Sequence, residues 1–172
     1  MMLGMSLETF TVFHVVISLI AIASGFVVVF GMIAGKRLDM LTALFLITTV
    51  ATSVTGFMFP NHQITPGIVL GILSMIVLIV ALIARYGRQM AGAWRSTYVV
   101  TSVIALYFNF FVLIAQSFMK VPALKALAPT QHEPPFAIAQ ISALVLFIVL
   151  GILAVKKFRV ASAAGQSTAR AA

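Results

Sequence analysis

Five long apolar segments, separated by short polar connections, constrain this chain more than any other feature of its sequence. They cover residues 10–34, 40–59, 67–84, 96–119 and 136–155. A helix needs about 20 predominantly apolar residues to cross a bilayer. The chain is 62% hydrophobic and 8% charged, whereas soluble proteins average about 45–50% and about 25%. The sequence therefore predicts an all-α membrane protein, a bundle of five transmembrane helices, and excludes a soluble domain.

The predicted domain organisation is a single transmembrane domain over residues 1–160 and a disordered cytoplasmic tail over residues 161–172. The tail consists mostly of Ala, Ser, Gln and Thr, which cannot form an apolar core. No Lys or Arg precedes the first apolar segment, so it lacks the basic region of a signal peptide and is expected to stay in the mature protein. Residues 120–135 contain four prolines, which interrupt helices, so this stretch is predicted to be a loop.

Basic residues are distributed unevenly between the two ends of the predicted bundle. The end that holds the C-terminus has nine of them: Lys36, Arg37, Arg85, Arg88, Arg95, Lys156, Lys157, Arg159 and Arg170. The other end has Lys120 and Lys125. Because cytoplasmic loops are enriched in Lys and Arg, we predict a multi-pass protein of the bacterial inner membrane with a periplasmic N-terminus and a cytoplasmic C-terminus. Topology then accounts for the net charge of +8, and no nucleic-acid partner is predicted.

An internal similarity relates the second apolar segment to the fourth. A shift of 53 residues places Phe45 on Tyr98 and Thr49 on Ser102. This register predicts two helical hairpins in parallel orientation, followed by a fifth helix.

Polar residues recur at helical spacing inside the same two segments. They are Thr48, Thr52 and Thr55 in the second segment and Ser102, Asn109 and Gln116 in the fourth. Such side chains hydrogen-bond across packed membrane helices, so the two stripes are predicted to face each other. Asn109 and Gln116 carry larger polar groups that are costly to leave unpaired in hydrocarbon, so they are also candidate cofactor-binding residues.

All three histidines fall on the predicted outer side, together with two of the three acidic residues. His14 lies about one turn into the first segment, while His62 and His132 lie in outer loops, the latter beside Glu133. Imidazole and carboxylate groups are ligands of zinc, copper and non-haem iron. These four residues are therefore the candidate metal ligands, although no ligand-spacing motif such as H-x-x-H connects them.

Several short motifs resemble a family of small bacterial inner-membrane proteins of uncharacterised activity. The motifs are GKRLD at 35–39, TSVTGF at 52–57, ARY at 84–86, AWR at 93–95, KVPALKALAP at 120–129 and HEPPF at 132–136. The first four segments are also similar in outline to the four-helix membrane cytochromes of b type, which implies haem held by histidines within the spans. Of these four segments only the first contains a histidine, His14.

Three functional interpretations follow. The first is a non-catalytic membrane protein that packs as a homo-oligomer or as a subunit of a larger membrane complex. The second is a redox-associated protein that binds haem, a metal or a quinone near the outer leaflet. The third is a small-molecule transporter, against which stands the absence of ionisable residues deep within the apolar segments. No catalytic residue is predicted, and the absence of cysteine excludes a thiolate nucleophile and Cys-ligated metal sites.

Overall fold

The structure is a computed structural model that describes residues 4–60 and 66–159 of the chain. In these ranges it is helical, without strands: α1 (Leu7–Ile33), α2 (Asp39–Phe57), α3 (Pro66–Leu82), a π-helical turn (Ile83–Gly87), α4 (Trp94–Lys120), α5 (Pro122–Leu127) and α6 (Pro134–Lys157). All but α5 are long and apolar enough to cross a membrane, with the π-helical turn extending α3 to Gly87. The predicted bundle of five such helices is confirmed. The predicted tail and His62 lie outside the described residues.

The helices pack as two hairpins and an additional helix. α1 packs on α2, α3 packs on α4, and α6 lies against both α1 and α4, while α2 and α3 join the hairpins. We call one end of the bundle the basic end; it holds residues 34–38, 88–93 and 156–159. The other, which holds residues 58–60 and 121–133, is the loop end.

Helix boundaries follow from capping chemistry. The Ser6 hydroxyl accepts a hydrogen bond from the Thr9 amide at 3.1 Å and caps the start of α1. After the end of α1, Gly35 adopts the left-handed conformation with φ +69°, which glycine reaches without steric cost. The turn lets the chain reverse within a few residues and begin α2 at Asp39.

The prediction that residues 120–135 form a loop is wrong for Pro122–Leu127, which is the short helix α5. Proline interrupts a helix because it lacks an amide hydrogen, but the first residues of a helix do not need one. Pro122 opens α5 and Pro134 opens α6 in this way. The prolines therefore mark helix starts as well as the connection between them.

Close approach at one glycine and an aromatic cluster form the centre of the bundle. A Cβ atom added to Gly25 of α1 would lie 2.6 Å from Leu106 and 2.9 Å from Phe45, so α2 and α4 both contact α1 where a side chain is missing. Phe26, Phe110 and Phe147 meet with ring centroids 5.5–5.7 Å apart and join α1, α4 and α6. Aromatic pairs in this range add packing energy beyond the area they bury.

Two of the residue pairs related by the 53-residue shift have equivalent environments. Phe45 and Tyr98 are fully buried, as are Thr49 and Ser102. The equivalence is consistent with two related hairpins, and a shared origin stays a hypothesis.

Candidate functional site

His14 is held by a hydrogen bond between α1 and α2. Its Nδ1 atom lies 2.7 Å from the Thr55 hydroxyl, and its ring meets Phe59 edge-on at 5.2 Å. The Thr55 hydroxyl also donates to the Ala51 carbonyl at 2.7 Å, which uses its only proton. We therefore assign the Nδ1–H tautomer to His14, with Nδ1 donating to Thr55. The Nε2 lone pair is then available to a ligand or a metal.

Glu133 is occupied by the loop that precedes α6. Its carboxylate accepts hydrogen bonds from the Thr130 hydroxyl at 2.9 Å, the Thr130 amide at 3.2 Å and the His132 amide at 3.1 Å. Although desolvation alone would raise the pKa of this carboxyl, these hydrogen bonds hold the pKa below its ordinary value. Glu133 thus has a structural role in ordering the loop.

The described residues contain no group of three or more histidine, aspartate or glutamate side chains placed to hold a metal ion. His14 is half-buried against α2, whereas His132 is exposed beside Glu133. His62, the remaining predicted ligand, lies outside the described residues. The four-residue metal site therefore stays a prediction, which elemental analysis of the purified protein would test.

The polar stripe of α4 divides into three environments. Ser102 is fully buried. The Asn109 amide donates to the Thr49 hydroxyl of α2 at 3.4 Å. Gln116 is exposed on the surface of the bundle. Asn109 therefore joins α4 to α2 as the stripe suggested, but through Thr49, a residue outside the predicted stripe of α2. The cofactor-binding role of Asn109 and Gln116 stays a prediction.

The hydroxyl groups of α2 serve several neighbours. Thr55 pairs with His14 of α1, and Ser53 donates to Ser74 of α3 at 3.3 Å. With Thr49 bonded to Asn109, α2 makes a polar contact with three different helices. In the apolar setting of a bilayer such contacts fix which helices meet and in which register.

A charged cluster at the basic end, which sequence reasoning missed, contains both ion pairs of the described residues. Arg85 is 5% exposed, in the π-helical turn after α3. Its guanidinium donates to the Asp39 carboxylate at 2.5 Å and lies 5.2 Å from the centroid of the Tyr98 ring. Arg37 donates to the same carboxylate oxygen at 2.8 Å. We call Arg37, Asp39, Arg85 and Tyr98 the Arg85 cluster.

The Arg85 cluster joins the two hairpins where the bundle meets its polar surroundings. Burying a guanidinium is tolerated here because a carboxylate and an aromatic face both stabilise its charge. The chain leads into α4 through Gln89 and Met90, both with positive φ. One feature of the sequence indicates the ion pair between Asp39 and Arg85. Asp39 is the single acidic residue between Glu8 and Glu133, and it follows two basic residues, Lys36 and Arg37.

An apolar groove of about 390 Å³ runs between α4 and α6. Its walls include Val100, Val103 and Tyr107 of α4 and Leu144 and Gly151 of α6. Lys156 lies at its end near the basic end of the bundle. The groove offers a binding surface for a hydrocarbon chain, with a cation at one end.

Comparison of the chain with protein-family models, with curated proteins and with solved structures finds no match.

Proposed function

We propose that this protein is a non-catalytic integral protein of the bacterial inner membrane that functions by packing with a second copy of itself through α3. The observation that supports the proposal is an outward-facing stripe on α3 and the first residue of the π-helical turn, which we call the α3 seam. Its residues are Val69, Ile72, Ile76, Ile79 and Ile83, each 45–54% exposed. The seam forms one half of a symmetric contact between the two copies.

The spacing of the α3 seam is that of a helix–helix interface. Successive members are three, four, three and four residues apart, which is the a and d pattern of helices that pack knobs-into-holes. The opposite face of α3, with Ser74, Leu78 and Ala81, is already buried in the bundle. The seam is therefore the face of α3 that has no partner helix within the described part of the bundle.

The composition of the seam also favours packing. Every member is Val or Ile, whose branched Cβ leaves one strongly preferred χ1 rotamer in a helix. Such side chains lose little conformational entropy when a partner covers them. Because lipid is as apolar as these side chains, the gain on association comes from close van der Waals packing, which rigid side chains support.

α3 is a better candidate for the contact than the other exposed helix. In the most apolar part of α3, 22% of the residues are buried in the bundle. The corresponding share is 28% for α6 and 39% for α1, α2 and α4. α6 carries a similar exposed stripe that includes Ile138, Ile141 and Val145. Further along α6, however, Ile148 and Ile152 line the groove against α4. The face of α6 is therefore interrupted, whereas the α3 seam is continuous.

The oligomeric state in detergent micelles tests the proposal. The double variant Ile76→Ala/Ile79→Ala removes apolar volume from the seam, so the dimer dissociation constant should rise about tenfold or more, equivalent to about 1.4 kcal/mol. Sedimentation equilibrium measures this constant. The matched control, Ile138→Ala/Ile141→Ala, changes the same residue types at the same spacing on α6 and should leave the constant unchanged. A monomeric wild-type protein, or an equal effect of both double variants, would contradict the proposal.

A further inference from the structure

The groove between α4 and α6 has the length of one leaflet. Along α6 it extends from Leu144 to Lys156, which at 1.5 Å per residue is about 18 Å. Half of the hydrocarbon core of a bilayer is about 15 Å thick. The groove therefore runs from the basic end to about the middle of the membrane.

The width of the groove is sufficient for a single hydrocarbon chain. A volume of about 390 Å³ spread over about 18 Å gives a mean cross-section of about 20 Å². Gly151 contributes to the opening, since a Cβ added there would meet only Val103, at 3.5 Å.

Polar chemistry is confined to the ends of the groove. The wall is apolar from Leu144 to Val155, apart from the hydroxyl of Tyr107. Lys156, at the end near the basic end, is exposed and makes no ion pair within the described residues. An unpaired ammonium at the headgroup level attracts lipid phosphates.

We propose that this groove binds one acyl chain of a phospholipid from the leaflet at the basic end, with the lipid phosphate paired to Lys156. The length of the groove matches one chain, its width admits a chain, and the charge at its end is complementary to a phosphate. Gly151 provides the space for the chain and Lys156 selects for the headgroup. The site is separate from the α3 seam, so either proposal can fail without the other.

Native mass spectrometry of the detergent-purified protein, titrated with phosphatidylglycerol and with diacylglycerol of identical chains, tests the headgroup contact. Wild-type protein should bind one phosphatidylglycerol per protomer more tightly than diacylglycerol. Lys156→Gln should weaken phosphatidylglycerol binding about fivefold, the value of one basic residue near a lipid surface. The matched control Lys157→Gln, which removes the same charge one residue away, should change it less than twofold. Equal effects of the two variants would overturn the assignment of Lys156.

A second pair of variants tests the groove itself. Gly151→Phe should fill the groove and abolish binding of both lipids, while Val149→Phe, on the exposed face of α6 outside the groove, should leave binding unchanged. Gly151→Ala, which fits beside Val103 without displacing it, should fold normally and weaken binding by a smaller factor. Retention of lipid by Gly151→Phe would overturn the proposal. So would dissociation of an oligomer by Gly151→Phe with lipid still bound, because the groove would then be a protein contact.

Discussion

At the scale of single residues, the stability of the bundle depends on partners for polar side chains that would be costly to leave unpaired in an apolar environment. Arg85 is the clearest case, because its guanidinium is almost completely buried while the carboxylate that pairs with it, on Asp39, is 63% exposed. Water therefore screens the Asp39 side of the pair, and the aromatic ring of Tyr98 covers the other side. The pair acts as a connection between α2 and the π-helical turn.

Removing the charge of Asp39 should destabilise the bundle. Asp39→Asn leaves Arg85 buried without its carboxylate, and we expect a loss of roughly 1 kcal/mol because the exposed carboxylate is already screened. Thermal unfolding in detergent measures the change. Arg37→Gln is the control, since Arg37 contacts the same carboxylate but is half exposed, and its loss should have little effect. An equal loss in the two variants would mean that the burial of Arg85 is unimportant.

The hydrogen bonds to Glu133, in the loop before α6, predict that the stability of the protein depends on pH. The hydrogen bonds to its carboxylate lower the folded-state pKa below the ordinary value of 4.5. A lowered folded-state pKa contributes stability above the unfolded-state pKa, and this contribution is lost as the pH falls through the folded-state pKa.

The difference in melting temperature between wild-type protein and Glu133→Gln measures this contribution. It should be present at neutral pH and decrease as the pH is lowered below about 4.5. A difference that does not change between pH 7 and pH 3 would contradict the assigned role of Glu133.

At the scale of helices, the sequence predicts the elements well and their contacts less well. The apolar segments locate all five membrane helices because length and hydropathy are strong signals. The choice of neighbours is set by features that a hydropathy pattern does not contain. Gly25 admits Phe45 and Leu106, and this can be recognised only when the three helices are in place.

In the candidate site, too, the sequence identifies individual polar residues better than it identifies their partners. Asn109 could be singled out because a large amide in an apolar segment needs a partner, but its partner, Thr49, lies outside the predicted stripe. Gln116 repeats the seven-residue spacing but is exposed. Positions seven residues apart drift around the surface of a straight helix, so the members of this stripe along the 27-residue α4 do not all face the same neighbours. The sequence places Arg85 among the basic residues at one end of the bundle but does not reveal its burial, because that burial depends on Asp39 and Tyr98 from other parts of the chain.

The hydrogen bond between α4 and α2 is expected to contribute to the thermal stability of the bundle. Asn109→Leu removes the hydrogen bond to Thr49, and hydrogen bonds between membrane helices contribute about 0.6–2 kcal/mol. The variant should therefore unfold at lower temperature in detergent. Gln116→Leu serves as the control, because its amide is exposed and its replacement should leave the melting temperature unchanged or raise it. Unchanged stability of Asn109→Leu would show that the bond does not support the bundle.

At the scale of the whole molecule, an odd number of spans places the termini on opposite sides of the membrane. The asymmetry of basic residues predicts that the basic end is cytoplasmic. A reporter that is active only in the cytoplasm, fused after Ala172, should therefore be active, and one that requires the periplasm should be inactive. The reverse pattern would invert the orientation and place the Lys156 end of the groove in the outer leaflet.

The proposed dimer joins two copies that share one topology in one membrane. Two α3 helices related by an axis along the membrane normal run parallel, so each residue of the seam faces its own counterpart. The chain contains no cysteine, and a single introduced cysteine is therefore the only thiol available for cross-linking. A disulfide forms only when the two Cα atoms lie within about 7 Å, which makes the reaction a direct measure of proximity.

Oxidative cross-linking in native membranes tests the central claim, that α3 is the self-association surface. Ile76→Cys, in the middle of the seam, should form a covalent dimer of two 18.4 kDa chains. Leu73→Cys, exposed on the same helix beside the seam, should stay monomeric under the same conditions. A monomeric Ile76→Cys protein, or equal cross-linking at both positions, would contradict the account.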